Sequence, residues 1–349
     1  MGANTWIYRK KLYNPLLSLK KETMQQDIQK LGTLIESADR ILLINHIRMD
    51  PDAFGSIAAF YEILKAHGKD VRATNDDKTP ESFWFLGKNH IIEPSMDIKA
   101  YNPDLIISFD AGWLSQLWNS YINYKEVFDE KDFVVLDHHM TNPGFGKINI
   151  IDTTSSSTCE LVYRIIKLLS FEQYMNPEIA TLLTAGMLTD TNMYYNTNTT
   201  ARTMRTGAEL IEHGANFRLP MFEFFKKKTL SRSRAWGEVL KDIKSSDGGK
   251  IVWAAVKPEI LENIWADDSH LKGLINEFLA NIEWSEVCFL LYPLPDGTTK
   301  TSMRSKPHTS VGDICAEFGW GWHKQAAWLT SDKSVAEVEE IILERLKGI

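Results

Sequence analysis

Three short apolar stretches decide the fold of this chain: ILLINH at residues 41–46, LIISFD at 105–110 and FVVLDHH at 133–139. A strand that is buried on both faces of a parallel sheet reads as such an unbroken apolar run. Each run ends in aspartate or histidine, and ligands of open α/β sheets bind beyond the carboxyl ends of the strands. We therefore predict an α/β fold whose parallel sheet carries a metal site at one edge.

The composition is typical of a globular protein. The chain has 349 residues, enough for two domains, and 44% of them are hydrophobic and 24% charged. No apolar stretch approaches the ~20 residues that a membrane span needs, and the N-terminus lacks the apolar core of a secretory signal. Cys159, Cys288 and Cys315 are far apart in sequence, which argues against a disulfide scaffold or a cysteine zinc site. We expect a cytoplasmic protein that does not bind membranes.

The charge balance bears on the substrate. The net charge is −7, which disfavours sequence-independent binding of long nucleic acid, because such binding needs a broad basic surface. Small phosphorylated substrates are compatible with this net charge, since bound divalent metal ions would supply positive charge locally. We therefore expect no long duplex nucleic acid among the partners.

The pattern along the chain divides it into four segments. We predict an N-terminal extension at 1–22, a first α/β domain at 23–215, a connector at 216–245 and a smaller α/β domain at 246–349. Helices of the first domain are predicted at 24–37, 56–67, 161–169, 178–188 and 201–214. The second domain is predicted to have strands at 251–256, 287–292 and 299–303, and a helix at 271–280.

The connector is rich in basic residues: Lys226, Lys227, Lys228, Arg232 and Arg234. Two interpretations stay open. These residues form a solvated helix face, or they form a basic rim between the domains that attracts phosphate.

Eight acidic and histidine residues are candidate metal ligands or their neighbours: His46, Asp50, Asp52, Asp110, Asp137, His138, His139 and Asp190. Carboxylate oxygens and imidazole nitrogens together suit a borderline divalent ion such as Mn²⁺. A carboxylate can bridge two ions ~3.5–4 Å apart, an arrangement that activates water for in-line displacement. Any one aspartate could instead cap a helix or turn, and any one histidine could pack in the core. The set as a whole, placed at successive strand ends, favours a metal centre.

The same residues carry a resemblance to a known family. HIRMDPDAFGS at 46–56, Asp110, DHH at 137–139 and Asp190 closely resemble the four motifs of the DHH phosphoesterase superfamily. Arg304-Ser305 and GWGWHKQAA at 319–327 resemble the DHHA1 domain, whose hallmark is a glycine-rich loop ending in histidine. The resemblance spans roughly residues 25–330. By length it is nearest to the subgroup of bifunctional oligoribonucleases and 3′-phosphoadenosine 5′-phosphate (pAp) phosphatases.

The resemblance implies a fold and a role for each residue. It implies a parallel-sheet DHH catalytic domain at 23–215 with helices on both faces, and a smaller α/β DHHA1 substrate-binding domain at 246–349. One divalent ion would be held by His46, Asp50 and Asp110, and a second by Asp52, Asp110, His138 and Asp190. We expect Mn²⁺, with Mg²⁺ or Co²⁺ as alternatives. His139 would stabilise the scissile phosphate, and Asp137 would orient a neighbouring histidine. The implied substrate contacts are Arg304, Ser305, Gly319, Gly321 and His323.

The chain departs from the family pattern in two places. Pro51 stands where glycine is frequent and should stiffen its loop, since proline fixes φ. Trp320, Trp322 and Trp328 stand where the family pattern has glycine. Three explanations stay open: the indoles stack on a nucleotide base, the second-domain site is degenerate, or the gene comes from a genetic code that reads UGA as glycine and was translated as tryptophan. The last would extend to Trp118 and other tryptophans.

The implied activity is metal-dependent hydrolysis of short single-stranded RNA oligonucleotides and pAp in a cleft between the domains. One alternative is phosphodiesterase activity on a cyclic or linear dinucleotide. Another is a nucleotide-binding protein with a degenerate DHHA1 domain. The sequence leaves the substrate length limit, the metal and a homodimeric state open.

Overall fold

The structure is a computed structural model that describes residues 15–263, 268–271, 273–306, 308–317 and 324–347. The chain divides into two compact units, with the boundary between Lys227 and Lys228. Among the described residues, no helix combines the length and apolar character that a bilayer crossing requires.

The first unit is built on a six-stranded, fully parallel sheet. Its strands are β1 Arg40–Asn45, β2 Asp70–Asn75, β3 Ile92–Pro94, β4 Leu105–Phe109, β5 Asp132–Asp137 and β6 Ile148–Ile151. The spatial order is β3-β2-β1-β4-β5-β6. The order of strands therefore reverses between β1 and β4, which is where doubly wound sheets bind their ligands.

The strands are linked by helices on both faces of this sheet. These helices are α1 Pro15–Ser37, α2 Pro51–Ala66, α3 Ile98–Tyr101, α4 Trp118–Ile122, α5 Lys125–Glu130, α6 Thr158–Leu168, α7 Pro177–Asp190, α8 Ala201–Glu212 and α9 Arg218–Pro220. Shorter 3₁₀ segments cover Glu81–Leu86, Leu114–Leu117 and Phe171–Tyr174, and a π-type turn covers Met221–Lys226.

Alternate residues of each central strand enter two separate cores, because successive side chains of a strand point to opposite faces. In β1, Leu43 packs with Phe54 of α2 in one core, and Leu42 packs with Tyr101 of α3 in the other. All these side chains are buried. The predicted parallel sheet with helices on both faces is confirmed.

Three helices extend further towards the N-terminus than predicted. Helix α1 covers Pro15–Ser37, and α2 begins with Pro51, where proline suits the first helical position because that N–H has no helical partner. Helix α6 begins at Thr158, after the N-cap Ser157. The segment from Pro15 to residue 22 is therefore helical, where an irregular extension was predicted.

The second unit is smaller and contains a mixed five-stranded sheet, in the order β11-β10-β9-β8-β7. Its strands are β7 Lys244–Ser246, β8 Ile251–Ala255, β9 Val287–Pro293, β10 Thr299–Ser305 and β11 Ala326–Ser331. Only the β8–β9 pair is parallel among these described strands. Its helices are α10 Leu230–Lys241, α11 Pro258–Asn263, α12 Leu274–Glu277, α13 Val311–Ala316 and α14 Val335–Arg345. The predicted second α/β domain is confirmed as a fold.

The helix predicted at 271–280 is broken into short pieces. Gly273 has a φ of 86° and precedes the four-residue α12, and a 3₁₀ turn covers Leu279–Asn281. Glycine reaches this left-handed backbone without strain, which interrupts the helix. The predicted domain bounds and the connector between them stay predictions.

Candidate metal centre

The site begins with the register of the three central strands. Asn45 of β1 lies opposite Phe109 of β4, and Phe109 lies opposite Leu136 of β5. The next residue of each chain segment is a predicted site residue: His46, Asp110 and Asp137. Because parallel strands end at one edge, these three side chains start from adjacent positions at the point where the strand order reverses.

Asp110 is the central residue of the group. Its Oδ2 lies 3.7 Å from Nε2 of His46, and its Oδ1 lies 3.7 Å from Nε2 of His138 and 3.7 Å from Nδ1 of His139. Only 2% of Asp110 is exposed, and its backbone adopts a left-handed φ of 56° directly after β4. An aspartate tolerates this conformation better than most residues, and strained backbone of this kind concentrates at functional sites.

The side chains form three overlapping groups whose ligand atoms lie within 4.8 Å of one another. The groups are His46–Asp50–Asp110, Asp52–His138–Asp190 and Asp110–His138–His139. The structure thus brings all six predicted metal ligands together, although they come from four separate stretches of the sequence. Their oxygen and nitrogen atoms suit a divalent cation of intermediate softness.

Asp50 serves both the helix and the candidate site. It is the N-cap of α2, and its Oδ1 accepts the N–H groups of Asp52 (2.9 Å) and Ala53 (3.0 Å). These capping bonds use Oδ1 alone. Pro51 occupies the first helical position, so the proline that departs from the family pattern fits the backbone here.

Asp52 is fully buried, so its carboxylate depends on protein donors. Its Oδ2 accepts the N–H of Thr158 (2.6 Å) and its Oδ1 accepts the N–H of Cys159 (2.9 Å), both at the start of α6. Burial, followed by the neighbouring carboxylates of Asp190 and Asp110, raises the pKa of Asp52 well above its ordinary value. A positive ion beside it would reverse that effect.

The two innermost histidines respond to the same excess of negative charge. Burial lowers the pKa of His138, but its hydrogen bond with Asp190 (3.2 Å) and the charge of Asp110 raise it to about 11. Burial also lowers the pKa of His46, and Asp110 raises it to about 9. Nδ1 of His46 lies 2.7 Å from the carbonyl oxygen of Ile47, so Nδ1 carries the hydrogen and Nε2 is the nitrogen left for a cation.

His139 is the most exposed of the three histidines at this edge, with 41% of its side chain accessible. Its Nδ1 lies 2.8 Å from Oδ1 of the fully buried Asp137. Asn142 holds the other oxygen of Asp137, donating from Nδ2 over 2.6 Å. Burial lowers the pKa of His139, and the bond to Asp137 raises it above its ordinary value overall. Asp137 is thus hydrogen-bonded to His139, and its predicted orienting role stays a prediction.

The sequence did not predict two residues that contact the site, Thr158 and Gly186. Thr158 donates its hydroxyl to Oδ1 of Asp110 over 2.8 Å. Gly186 of α7 lies so close to Asp52 that a Cβ there would meet Oδ1 at 2.5 Å. A signal for the first existed, because Ser157 and Glu160 have the spacing of a capping box and place the helix start at residue 158.

The residues predicted in the second unit are described only in part. Gly319, Gly321 and His323 lie outside the described residues, as do Trp320 and Trp322. Arg304 and Ser305 belong to β10 and line a cavity of about 30 Å³ together with Ala280, Ser285, Glu286, Cys288 and Lys306. Arg304 donates its Nε to Asn276 (2.9 Å) and its Nη1 to the carbonyl of Met303 (2.7 Å).

Comparison with known proteins adds the family. Residues 40–187 match the DHH family, N-terminal domain. The chain is 30% identical over 313 residues to the bifunctional oligoribonuclease and PAP phosphatase NrnA of Thermus thermophilus, which covers 88% of this chain and 90% of that protein. It is 23% identical over 322 residues to the protein of the same name in Bacillus subtilis, covering 88% of this chain and 96% of that one.

A solved structure shares the fold. The crystal structure of an exopolyphosphatase-related protein from Bacteroides fragilis aligns with a TM-score of 0.83, covering 93% of this chain and 96% of that one. The two sequences are 21% identical, so this likeness bears on the fold alone.

Proposed function

Because the chain belongs to the DHH family of phosphoesterases, we propose that it hydrolyses short RNA oligonucleotides and pAp. The relatives named above support the substrate class through their names, oligoribonuclease and PAP phosphatase. The observation that carries the proposal is the position of Asp110, whose two oxygens lie near histidines of two different ligand groups. A carboxylate in this position can serve two ions at once.

Enzymes of this family depend on metal, and the residues at the sheet edge fit such ions. We propose that His46, Asp50 and Asp110 hold one ion, and that Asp52, Asp110, His138 and Asp190 hold the other. The mixed carboxylate and imidazole ligands favour Mn²⁺, with Mg²⁺ or Co²⁺ as alternatives. When bound, such a pair supplies an activated water and positive charge at a phosphoryl group.

His139 is proposed to act on the phosphate itself. Its Nδ1 is held by Asp137, which fixes the ring and favours its protonated form. The other ring nitrogen, Nε2, can then donate a hydrogen bond to a phosphate oxygen as negative charge develops there. Asp137 acts through His139 and does not itself need to reach the substrate.

Residues of the second unit are proposed to bind the substrate's remaining phosphate. Within the part of the chain that the structure describes, Nε and Nη1 of Arg304 are fixed by protein acceptors and Nη2 has none, so the guanidinium is oriented in advance. Ser305, Gly319, Gly321 and His323 are proposed to join it. The net charge of −7 supports a preference for small substrates over long nucleic acid.

The test measures phosphate release from pAp and cleavage of a labelled RNA dinucleotide by the purified protein with Mn²⁺. Asp110→Asn removes the charge but keeps a residue that tolerates φ near 56°. We expect both activities to fall by more than about a hundredfold. The control is Asp129→Asn, an exposed residue of α5 paired with Lys125, which should retain both activities.

Two results would contradict the proposal in different ways. Near-normal activity of Asp110→Asn would exclude the bridging role of that residue. Faster hydrolysis of a cyclic dinucleotide than of pAp or the RNA dinucleotide would replace the proposed substrate with the alternative one.

A further inference from the structure

We propose that Thr158 is a positioning residue, which holds the two most deeply placed carboxylates of the metal centre in a fixed arrangement before a cation binds. This inference rests on the proposed metal centre. Thr158 is fully buried at the start of α6. Its N–H donates to Oδ2 of Asp52 over 2.6 Å, and its hydroxyl donates to Oδ1 of Asp110 over 2.8 Å.

These two hydrogen bonds offset the repulsion between two buried carboxylates. Asp52 and Asp110 are 0% and 2% exposed, and the negative charge of Asp110 contributes to raising the pKa of Asp52. Like charges at this depth repel each other strongly, because solvent screening is weak. A single residue that donates to both carboxylates fixes their separation, and it leaves Oδ2 of Asp110, beside His46, without a bond from Thr158.

The turn that precedes Thr158 is held by Glu160, which pairs with Arg202. Glu160 accepts the N–H (2.8 Å) and the hydroxyl (2.6 Å) of Ser156 through Oε2. Its Oε1 accepts Nε of Arg202 over 2.6 Å. The backbone next to Thr158 is therefore restrained, which is typical of groups that support metal ligands without binding the ion themselves.

The experiment compares Mn²⁺ binding to the metal-free protein by calorimetry. Thr158→Val keeps the shape and the backbone N–H but loses the hydroxyl, and Thr158→Ser keeps the hydroxyl. We expect Thr158→Val to weaken Mn²⁺ binding by about 10–100-fold and Thr158→Ser to stay within about threefold of the original chain. The matched control is Thr184→Val, a buried threonine of α7 whose hydroxyl donates to the carbonyl of its own helix at Ala180.

The outcomes separate this inference from the proposed function. An original chain that binds no Mn²⁺ would overturn both. Normal Mn²⁺ binding by Thr158→Val, or by Thr158→Ala should the valine variant not fold, would overturn the positioning role alone. Equal loss of affinity in Thr184→Val would also overturn it, because the effect would then follow from any buried hydroxyl.

A second inference has an independent basis in the backbone. We infer that Trp118 and Trp284 occupy positions built for glycine, and that both arise from UGA codons which the source organism reads as glycine. Trp118 has φ 44° and ψ −129°, the mirror image of the extended region, and Trp284 has a φ of 67°. Glycine adopts such angles freely, whereas a side chain with Cβ is strained there.

The surroundings of these indoles point the same way. Trp118 and Trp284 are 51% and 79% exposed, and within the described residues neither indole has a hydrogen bond or ring partner. By contrast, the buried Trp236 and Trp253 donate Nε1 to the carbonyl of His270 (2.8 Å) and to Glu339 (2.6 Å). Among the residues that the structure describes, the indoles of Trp236 and Trp253 are therefore packed and hydrogen-bonded within the fold, whereas those of Trp118 and Trp284 are not.

The structure adds no such backbone signal at Trp328. This residue lies in β11 opposite Ser302, half-buried, with Nζ of Lys300 located 5.5 Å from its ring centroid. The inference therefore stands on Trp118 and Trp284.

The decisive measurement is the codon at each position: UGA at 118 and 284 is expected, and UGG at both would overturn the inference. In the protein, Trp118→Gly and Trp284→Gly should each raise the melting temperature by roughly 2–4 °C, because the left-handed strain is removed. The control is Trp84→Gly, a residue as exposed as Trp118 but placed inside the 3₁₀ segment Glu81–Leu86, which should lower the melting temperature. A lower melting temperature for both test variants would also refute the inference.

Discussion

Replacing Gly186 by alanine should damage the metal centre through a single added methyl group. Gly186 lies in α7 where this helix passes Asp52 of α2. A Cβ at this position would meet Oδ1 of Asp52 at 2.5 Å and its Cα at 2.8 Å, and it would also contact Sγ of Cys159. One of these atoms belongs to the backbone, so rotation of a side chain cannot relieve the overlap.

The size of the effect follows from these distances. Ordinary contact begins near 3.4 Å, so the Asp52 carboxylate must move by roughly 1 Å in an interior that is already close-packed. Overpacking of this kind costs about 1–3 kcal/mol, against a gain of about 0.5–1 kcal/mol from replacing glycine by alanine within a helix. The net loss is about 0.5–2 kcal/mol, equivalent to roughly 1–8 °C in the melting temperature of a domain of this size.

The assay combines thermal unfolding with Mn²⁺ calorimetry. Gly186→Ala should lower the melting temperature and weaken Mn²⁺ binding by at least about tenfold, since a ligand is displaced. Gly237→Ala is the control: it lies in α10, and its added Cβ meets no atom within 4 Å, so it should stabilise the protein slightly. If Gly186→Ala behaves like Gly237→Ala in both measurements, the reasoning that α7 is too close to Asp52 to accept a methyl group is refuted.

Three further predictions concern the centre, its support and the substrate. Asp137→Asn should lower kcat by about 10–100-fold while Mn²⁺ affinity changes less than about threefold, because Asp137 holds His139; a loss of Mn²⁺ affinity instead would make Asp137 a ligand. Burial opposes ionisation of Asp152, but Thr154 and Arg164 lower its pKa to about 2. Its contribution to stability is present above the unfolded pKa near 4 and is lost as the pH falls towards 2. Asp152→Asn should therefore reduce the urea midpoint at pH 6 more than at pH 3. An equal reduction at both pH values would contradict the lowered pKa of Asp152. Finally, the original chain should cleave RNA of two to five nucleotides faster than long RNA; equal rates with a steep salt dependence would exclude the preference for small substrates.

Most candidate ligands were predictable because they follow or lie near a strand that reads as an apolar run, whereas Asp190 lies at the end of α7. The central strands β1, β4 and β5 are buried on both faces, and this burial produces the pattern. Strand β2 gave no such signal. It contains Arg72, whose guanidinium pairs with Glu93 of β3 and lies 5.3 Å from the ring of Tyr101. A charged residue within a strand breaks the apolar run, although its ion pair makes the position stable.

The supporting groups were not predictable in the same way. Thr158 lies 106 residues from Asp52, and nothing in the local pattern around either residue indicates that they meet. The role of Gly186 is equally non-local, since a glycine within a helix has several explanations until the neighbouring helix is known. The start of α2 could have been found, because Asp50 followed by Pro51 has the N-cap and first-position residues of a helix. Sequence patterns reveal which residues lie at a strand end, whereas contacts between helices require the fold.

The parallel order of the six strands also determines when the metal centre can form during synthesis. Each strand is followed by a return through a helix or loop, so the ligands are distributed along the chain from His46 to Asp190. The ribosome must therefore release α7 before the last ligand can join the others. Until then, the carboxylate of Asp52 lacks the side chain of Asp190, and before α6 is made it also lacks the N–H groups of Thr158 and Cys159. At the proposed site formed by Asp52, Asp110, His138 and Asp190, cation binding would therefore follow the synthesis of nearly the whole first unit.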